Sequence, residues 1–248
     1  MTYQSKTGDD IVALDNVDLA IGNQEFITLV GPSGCGKSTL LKLIAYLIEP
    51  TSGRLTLSGK PHNKPSRDIG IVFQDAVLLP WRNVIDNVLL PIEILGLDRS
   101  AYRKRAMELL DLVGLQDFEN RMPKELSGGM QQRTAICRAL IHDPDVLLMD
   151  EPFAALDAMT REELGFELMR IWDEHKKSIV FVTHSIPEAI LLADRVVVMT
   201  PRPGRIAEII DIDLKRPRTL DMEFTTTFKE YSDRVRNLIY SRDTAESQ

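Results

Sequence analysis

An eight-residue stretch near the start of the chain combines a flexible glycine-rich backbone with one cationic side chain and two hydroxyls: Gly31-Pro32-Ser33-Gly34-Cys35-Gly36-Lys37-Ser38. It matches the pattern G-x-x-x-x-G-K-[ST]. The glycines let backbone N–H groups turn inward around phosphate oxygens, and a helix beginning near Lys37 points its positive end at the same anion. Lys37 can reach the β- and γ-phosphates, and the Ser38 hydroxyl can bind Mg²⁺. The stretch predicts a site for a nucleoside triphosphate; a glycine-rich turn without a ligand is the alternative.

Two adjacent carboxylates, Asp150 and Glu151, follow the apolar run 146–149. Ligands of α/β sheets bind beyond the carboxyl ends of the strands, so two acids at such an end suit metal binding and water activation. We expect Asp150 to lie beside Mg²⁺ and Glu151 to orient and polarise the attacking water. The alternative is a strand end that carries exposed acids without a function.

Two more polar side chains directly follow strand-like runs. Gln74 comes after residues 69–73, and His184 comes after residues 179–183. An amide at this place could order Mg²⁺ or the attacking water, and a neutral imidazole could contact the γ-phosphate. Taken alone, a solvated loop glutamine and a structural histidine are the alternatives.

A second anion site is indicated by the start of an apparent helix at Leu126-Ser127-Gly128-Gly129-Met130-Gln131-Gln132-Arg133. Ser127 is a suitable N-cap residue, and the two glycines that follow leave backbone N–H groups uncovered. In isolation the same pattern indicates only the start of a helix.

The elements that must position these residues alternate between two kinds of pattern. Short apolar runs typical of buried strands are separated by segments with helical spacing of apolar residues; the runs are 25–30, 69–73, 145–149, 178–183 and 195–199, with 205–210 as a further candidate. Residues 54–59 alternate like an edge strand. From Val84 to about Ala139 the spacing is helical, and no strand is predicted. We therefore predict an α/β fold with a P-loop NTPase core: a mostly parallel sheet, an antiparallel edge subdomain and an inserted helical subdomain.

The end of the chain carries an apolar stripe at helical spacing, formed by Phe224, Phe228, Tyr231, Val235, Leu238 and Ile239. The stripe predicts a C-terminal helix that packs on the chain's own core, and a helix that binds a partner is the alternative.

Composition narrows the class of protein. The net charge is −7, which argues against nucleic acid as a partner because phosphate backbones require a basic surface. The two cysteines, Cys35 and Cys137, have no metal-site or disulfide spacing and are predicted to be free thiols. No apolar stretch approaches the roughly 20 residues that span a bilayer, and the first residues lack the apolar core of a signal peptide. Any membrane role is expected to depend on a partner.

In this order, the motifs resemble those of the nucleotide-binding subunit of an ABC transporter. The Walker A loop is residues 31–38, the Q-loop residue is Gln74, the signature is residues 126–130, and Walker B is residues 146–150 followed by Glu151. Ala154-Ala155-Leu156-Asp157 resembles the D-loop, and His184 the switch histidine. The resemblance implies an ATPase domain over residues 1–215, with a core at about 1–74 and 144–215, a helical subdomain at about 75–143, and a helical tail at 216–248.

The resemblance also implies how such a chain acts. Two copies pack head to tail as a homodimer and enclose two ATP molecules, each bound by the Walker A loop with Thr39 from one copy and by Ser127, Gly128 and Gly129 from the other. Asp157 lies at the dimer seam. Lys37, Gln74, Glu151 and His184 are the catalytic residues, and Ser38, Gln74 and Asp150 hold Mg²⁺. Tyr3 matches the aromatic residue that stacks on adenine.

A finer resemblance points to importers of the nitrate, sulfonate and taurine type, and it is carried by residues 73–81, 127–138 and 199–206. It implies a peripheral ATPase at the cytoplasmic face of the plasma (inner) membrane. Its partners are integral-membrane permease subunits and, indirectly, an extracytoplasmic solute-binding protein. Residues 76–81 form a docking groove in this interpretation, with core packing as the alternative. A soluble ABC ATPase without a permease, an exporter or lipid-transport subunit, and a scaffold without turnover remain alternatives.

Three positions depart from the family pattern. Met130 replaces the usual fifth signature residue, glutamine, so an amide contact from this position is lost. Tyr46 stands where relatives often have glycine. Almost nothing precedes Tyr3, so we expect either that the family's leading strand before it is missing or that the sequence begins late.

Overall fold

The structure is a computed structural model that describes residues 1–3 and 10–240. The chain divides into two units: the first comprises Met1–Ser66 with Ser178–Gln248, and the second comprises Arg67–Lys177. The strands are β1 (Thr2–Tyr3), β2 (Ile11–Val12), β3 (Phe26–Val30), β4 (Thr56–Leu57), β5 (Lys60–Pro61), β6 (Ile69–Val72), β7 (Val146–Asp150), β8 (Ser178–Val182), β9 (Arg195–Met199) and β10 (Ile206–Asp211). The α-helices are α1 (Lys37–Ile44), α2 (Val84–Val88), α3 (Leu90–Ile94), α4 (Arg99–Leu112), α5 (Gly128–Leu140), α6 (Ala158–His175), α7 (Ile186–Leu192) and α8 (Thr226–Tyr240).

Four strands of the first unit are hydrogen bonded in the order β10–β9–β3–β8. β3 is parallel to both β8 and β9, whereas β10 is antiparallel to β9. Every residue of β3 and β8 is buried, as expected for parallel strands that are covered on both faces. The prediction of a mostly parallel sheet is therefore confirmed. Each apolar run that was predicted to be a strand forms one, and its ends lie within one or two residues of the predicted ends.

Two short hairpins supply the antiparallel elements. β4 pairs with β5 around Ser58 and Gly59, whose φ values of 50° and 74° are those of the two-residue turn that joins twisted strands. The edge strand predicted at residues 54–59 is thus shorter than expected. β1 pairs with β2, so Thr2 and Tyr3 themselves form a two-residue strand. The expectation about a strand before Tyr3 stays a prediction.

The second unit contains β6 and β7, which are parallel neighbours, together with helices α2 to α6. No strand lies between the end of β6 at Val72 and the start of β7 at Val146, a stretch that the structure describes in full. The predicted helical insertion is present there. The finer division into a core and a helical subdomain at residues 75–143 stays a prediction.

Tyr46 has a left-handed backbone conformation, and its side chain packs against His62. Its φ of 53° is unfavourable for a residue with a side chain. Its ring packs edge-on against the His62 ring, with 5.6 Å between the ring centroids. His62 in turn lies 3.0 Å from the carbonyl oxygen of Ile44 at the end of α1. These contacts hold the Tyr46 ring in place beside the end of α1.

The C-terminal helix α8 packs against α7 and β9. It buries Phe228, Val235 and Ile239, as the predicted stripe requires. Phe224 does not belong to the helix and is 89% exposed. Its assignment to the buried stripe was wrong because the chain forms a separate 3-10 turn before α8 begins.

Arg218 fastens the segment before α8 to the end of α7. Its buried guanidinium donates to the carbonyl oxygens of Ile190, Leu191 and Ala193 at 3.0, 3.0 and 2.6 Å, and Arg216 donates to that of Leu192 at 2.8 Å. Burial lowers the pKa of Arg218 to about 10. The carbonyl groups that a helix end leaves without partners are thus satisfied by two arginines.

Both cysteines are buried free thiols, as predicted. Among residues 1–3 and 10–240, no helix combines the length and the apolar character needed to cross a membrane.

Candidate functional site

The glycine-rich loop connects β3 to α1, as the sequence predicts. Gly34 and Gly36 have φ values of 73° and 107°, a region that favours glycine over residues with a side chain. Gly36 is the N-cap residue of α1, and no side chain caps this helix end. The first backbone N–H groups of α1 point toward this loop, and the positive end of the helix dipole attracts an anion there.

Lys37 lies inside this loop. Its side chain is 4% exposed, and Nζ donates to the carbonyl oxygens of Gly31 at 2.9 Å and Pro32 at 3.1 Å. The loop thus surrounds an ammonium group, and α1 begins at this residue. A set of donors that combines N–H groups with a cation fits the phosphates of a nucleotide.

Tyr3 lies beside the first turn of α1. Its hydroxyl and that of Thr39 are 3.3 Å apart, and its side chain is partly exposed. The structure therefore brings together two of the predicted nucleotide contacts that are 36 residues apart in sequence.

His184 shares one sheet edge with the glycine-rich loop. β3 and β8 are parallel neighbours, with Leu29 opposite Val182, so the loop after β3 and the turn after β8 leave the sheet in the same direction. His184 is exposed. The turn is shaped by Thr183, whose Oγ1 accepts from Ser185 N at 3.0 Å, and by Ser185, the N-cap of α7.

Gln74, Asp150 and Glu151 are brought to one edge of the second unit. β6 and β7 are parallel neighbours with Val72 opposite Met149, so the residues that follow both strands emerge on the same side. Glu151 has a φ of 48°, a left-handed conformation that is unfavourable for a residue with a side chain. Strained backbone of this kind concentrates at functional sites, where it aims a side chain.

The signature region begins α5, and Ser127 is its N-cap as predicted. Ser127 Oγ accepts from Met130 N at 3.3 Å, and both Ser127 and Gly128 are exposed. Gly129 is buried, and a Cβ on it would lie 2.8 Å from Cγ2 of Thr160. Only glycine permits this close approach without displacement of Thr160.

Asp157 contacts Thr160, the same residue that Gly129 of the signature region approaches closely. It caps α6 by accepting from the backbone N of Thr160 at 3.0 Å and from its hydroxyl at 2.7 Å. These hydrogen bonds hold the pKa of Asp157 below its ordinary value. The exposed D-loop and signature turns thus meet on one surface of the second unit.

Two residues of α5 that sequence reasoning did not identify hold the chain around Gln74. Gln132 is 3% exposed and donates from Nε2 to the Phe73 carbonyl oxygen at 3.2 Å. Arg138 donates to the carbonyl oxygens of Ala76 at 2.7 Å and Val77 at 2.8 Å. In the sequence, the only indication of these contacts is that two long polar side chains stand among the apolar residues of α5. Such a pattern indicates buried hydrogen bonds but does not identify their partners.

The docking groove predicted at residues 76–81 is partly exposed. Val77 and Trp81 are 61% and 72% exposed. Asn87, which is fully buried, fixes the loop by accepting from Leu79 N at 2.7 Å and donating to Leu79 O at 3.2 Å. A rigid loop therefore presents two large apolar side chains to solvent, and its role as a docking surface stays a prediction.

A magnesium ion fits these residues only together with phosphate. Within the part of the chain that the structure describes, no group of three or more histidine, cysteine or acidic residues could hold a metal ion. Mg²⁺ commonly takes one or two carboxylates and fills its remaining positions with phosphate oxygens and water. Asp150, at the end of β7, has a carboxylate of this kind, and the assignment of Ser38, Gln74 and Asp150 to Mg²⁺ stays a prediction.

Comparison with known proteins agrees with these features. The model of the ABC transporter family matches residues 14–154. The chain is 50% identical to an uncharacterized ABC transporter ATP-binding protein of Methanocaldococcus jannaschii, over 94% of this chain and 86% of the relative. It is 45% identical to the taurine import ATP-binding protein TauB of Rhizobium johnstonii, over 97% of this chain and 94% of the relative.

A solved structure is similar in both sequence and fold. It is the dimeric structure of a post-hydrolysis state of the ATP-binding cassette MJ0796, bound to ADP and Pi. The identity is 36% and the TM-score is 0.75, and the match covers 86% of this chain and 96% of that one.

Proposed function

Because the chain belongs to the ABC transporter family and is an ATP-binding subunit with ATPase activity, we propose that it drives import of a small anionic solute through a membrane permease. The solute class is that of taurine, sulfonates and nitrate. The observation that carries this proposal is the similarity to a taurine import ATP-binding protein along nearly the whole of both chains.

We assign ATP binding to the glycine-rich loop and its surroundings. The backbone N–H groups of residues 31 and 33–38 and the ammonium group of Lys37 hold the phosphates. Pro32 belongs to the same loop, Thr39 extends the loop contacts, and Tyr3 stacks on the adenine. The contact between Tyr3 and Thr39 supports this assignment because it places the ring beside the helix that holds the phosphates. Ser38, Gln74 and Asp150 hold Mg²⁺, which neutralises phosphate charge when it is bound.

We assign hydrolysis to Glu151 with Gln74, His184 and Lys37. Glu151 accepts a proton from the attacking water and orients it. Gln74 positions the same water, His184 contacts the γ-phosphate, and Lys37 compensates the negative charge that develops on it. The strained backbone of Glu151 supports this role, since it fixes the direction in which the carboxylate leaves β7.

We propose that the active form is a homodimer in which each ATP is also bound by the partner copy. Ser127, Gly128 and Gly129 are the residues for this contact, and Asp157 lies at the seam. Support comes from the exposure of Ser127 and Asp157 on one surface and from the dimeric form of the similar cassette. Ser127 and Gly128 are exposed at the N-terminus of α5, where the helix dipole attracts a phosphate.

Import of a solute requires membrane partners for this ATPase. Permease subunits would dock on the loop that presents Val77 and Trp81, and an extracytoplasmic binding protein would deliver the solute. The ATPase would then act at the cytoplasmic face of the plasma (inner) membrane. Solute identity is a property of the permease and the binding protein.

The test is to purify the chain together with its membrane partners and to measure ATPase activity while solute-loaded binding proteins are added. Binding protein loaded with taurine, a sulfonate or nitrate is expected to stimulate hydrolysis, and the same complex carrying Glu151→Gln sets the background. Purification without any integral-membrane subunit would support a soluble ABC ATPase instead. Stimulation by lipid but by no binding protein would support an exporter.

A further inference from the structure

The segment from Thr200 to Arg205 lies directly behind the glycine-rich loop. Gly204 is its point of closest approach: a Cβ on this residue would lie 1.9 Å from the carbonyl oxygen of Cys35 and 3.0 Å from Cδ2 of Leu14. Such distances leave no room for a side chain. The backbone of Gly204 is therefore in contact with the backbone of the loop.

The same segment is tied to the strand-like residues 13–15. Gly204 N donates to Ala13 O at 2.9 Å, and Asp15 N donates to Gly204 O at 3.0 Å. Leu14 is 3% exposed and touches the loop at Gly36, where a Cβ would lie 2.6 Å from Leu14 Cδ2. The glycine-rich loop is thus supported by two neighbouring stretches of backbone that are hydrogen bonded to each other.

Two arginines add side-chain contacts. Arg202 Nη2 donates to the carbonyl oxygen of Gly34 at 3.5 Å. Arg205 forms an ion pair with Asp15, in which Nε lies 3.1 Å from the carboxylate, and its backbone N donates to Thr200 Oγ1 at 3.0 Å. The segment is therefore fixed both to the loop and to residues 13–15.

We propose that residues 200–205 form a brace that sets the orientation of the Cys35–Gly36 peptide, with Gly204 as the positioning residue. A peptide bond is planar, so the Cys35 carbonyl and the Gly36 N–H rotate together. Contact of Gly204 with that carbonyl therefore determines where the Gly36 N–H points. This inference rests on the proposed role of the loop in phosphate binding. It assigns a function in ATP binding to a segment that lies about 170 residues further along the chain and meets the loop only through a long-range contact.

The first test is Gly204→Ala. The φ of Gly204 is outside the left-handed region, so alanine is compatible with the backbone, and its methyl group would displace the Cys35 carbonyl. Because the added methyl group would overpack a rigid neighbour, we expect the Kd for ATP to rise about tenfold or more. The change in kcat at saturating ATP is expected to be smaller. A Kd equal to that of the parent protein would overturn the proposal.

The matched control is Gly22→Ala. The three atoms nearest to its added methyl group would all belong to the Glu25 side chain, with Oε2 the nearest at 3.1 Å. ATP binding is expected to equal that of the parent. Loss of ATP binding in this control as well would overturn the proposal, since the effect would then not be specific to the brace.

A second pair of variants covers the case in which Gly204→Ala does not fold. Arg205→Asp places a carboxylate beside Asp15, and we expect the Kd for ATP to rise about threefold, within the range measured for exposed charge pairs. Adding Asp15→Arg restores an ion pair and is expected to restore ATP affinity. Parent-like affinity of Arg205→Asp, or no recovery in the double variant, would count against the brace.

Lys37→Ala separates this proposal from the one on which it rests. If Lys37→Ala abolishes ATP binding while Gly204→Ala and Arg205→Asp bind like the parent, the loop is the ATP site and the brace is rejected. If Lys37→Ala also binds like the parent, the assignment of the ATP site itself is rejected, and the brace with it.

Discussion

Arg138 donates from Nη1 to the main-chain carbonyl oxygen of Val77 at 2.8 Å, across 61 residues of sequence. Val77 has a φ of 44°, which is unfavourable for a β-branched residue. Arg138 also holds the carbonyl of Ala76. The helix that begins with the exposed signature turn therefore fixes the loop that follows Gln74 in a strained conformation.

The first prediction concerns the stability of this arrangement. Arg138→Ala leaves the carbonyl oxygens of Ala76 and Val77 without their charged donor, and we expect the free energy of unfolding to fall by about 2–3 kcal/mol. Urea unfolding followed by circular dichroism measures it. Arg103→Ala on the exposed face of α4 is the control, with an expected change within about 0.5 kcal/mol. Equal losses in the two variants would show that the Arg138 contacts do not stabilise the fold.

The second prediction separates the two roles of Ser127. Ser127→Ala removes the N-cap of α5 and is expected to cost about 1 kcal/mol of stability. Ser127→Asp retains an N-cap oxygen, so stability is expected to stay near that of the parent. The added negative charge would repel the phosphates of the partner's ATP, and ATPase activity is expected to be lost. An Asp variant that hydrolyses ATP like the parent would contradict the role of Ser127 in the dimer.

The third prediction concerns Glu151. Glu151→Gln keeps the size and hydrogen-bonding oxygen of the side chain but removes the base, so turnover is expected to fall about 10²- to 10⁴-fold. ATP binding should persist, and a stable ATP-bound dimer should form, which size-exclusion chromatography with and without ATP can measure. Hydrolysis at the parent rate would show that another group is the base.

The fourth prediction concerns Lys37. Lys37→Ala removes the ammonium group from the centre of the loop, and nucleotide binding is expected to be abolished because the phosphate charge is then compensated only by backbone N–H groups. Titration with a fluorescent ATP analogue measures the affinity. Lys42→Ala, on the exposed face of the same helix, should bind like the parent. Unchanged affinity of Lys37→Ala would reject the loop as the nucleotide site.

The sequence by itself determined the features that depend on neighbouring residues. The strands at residues 26–30 and 195–199, the start of α1 at Lys37 and the N-cap at Ser127 were all predicted. Strand and helix patterns repeat every few residues, and a cap bonds to a backbone group three positions away, so this information lies within a short window. Family resemblance rests on the same short motifs.

Only the tertiary structure decided which distant residues meet. Three contacts join residues that are not neighbours in sequence: that of Gly204 with Cys35, the hydrogen bond from Arg138 to Val77, and the pairing of Thr2 and Tyr3 with Val12 and Ile11. Phe224 was assigned to a buried stripe by its spacing, yet it lies on an exposed turn. Such contacts depend on strand order and on the paths of loops, which no local pattern encodes.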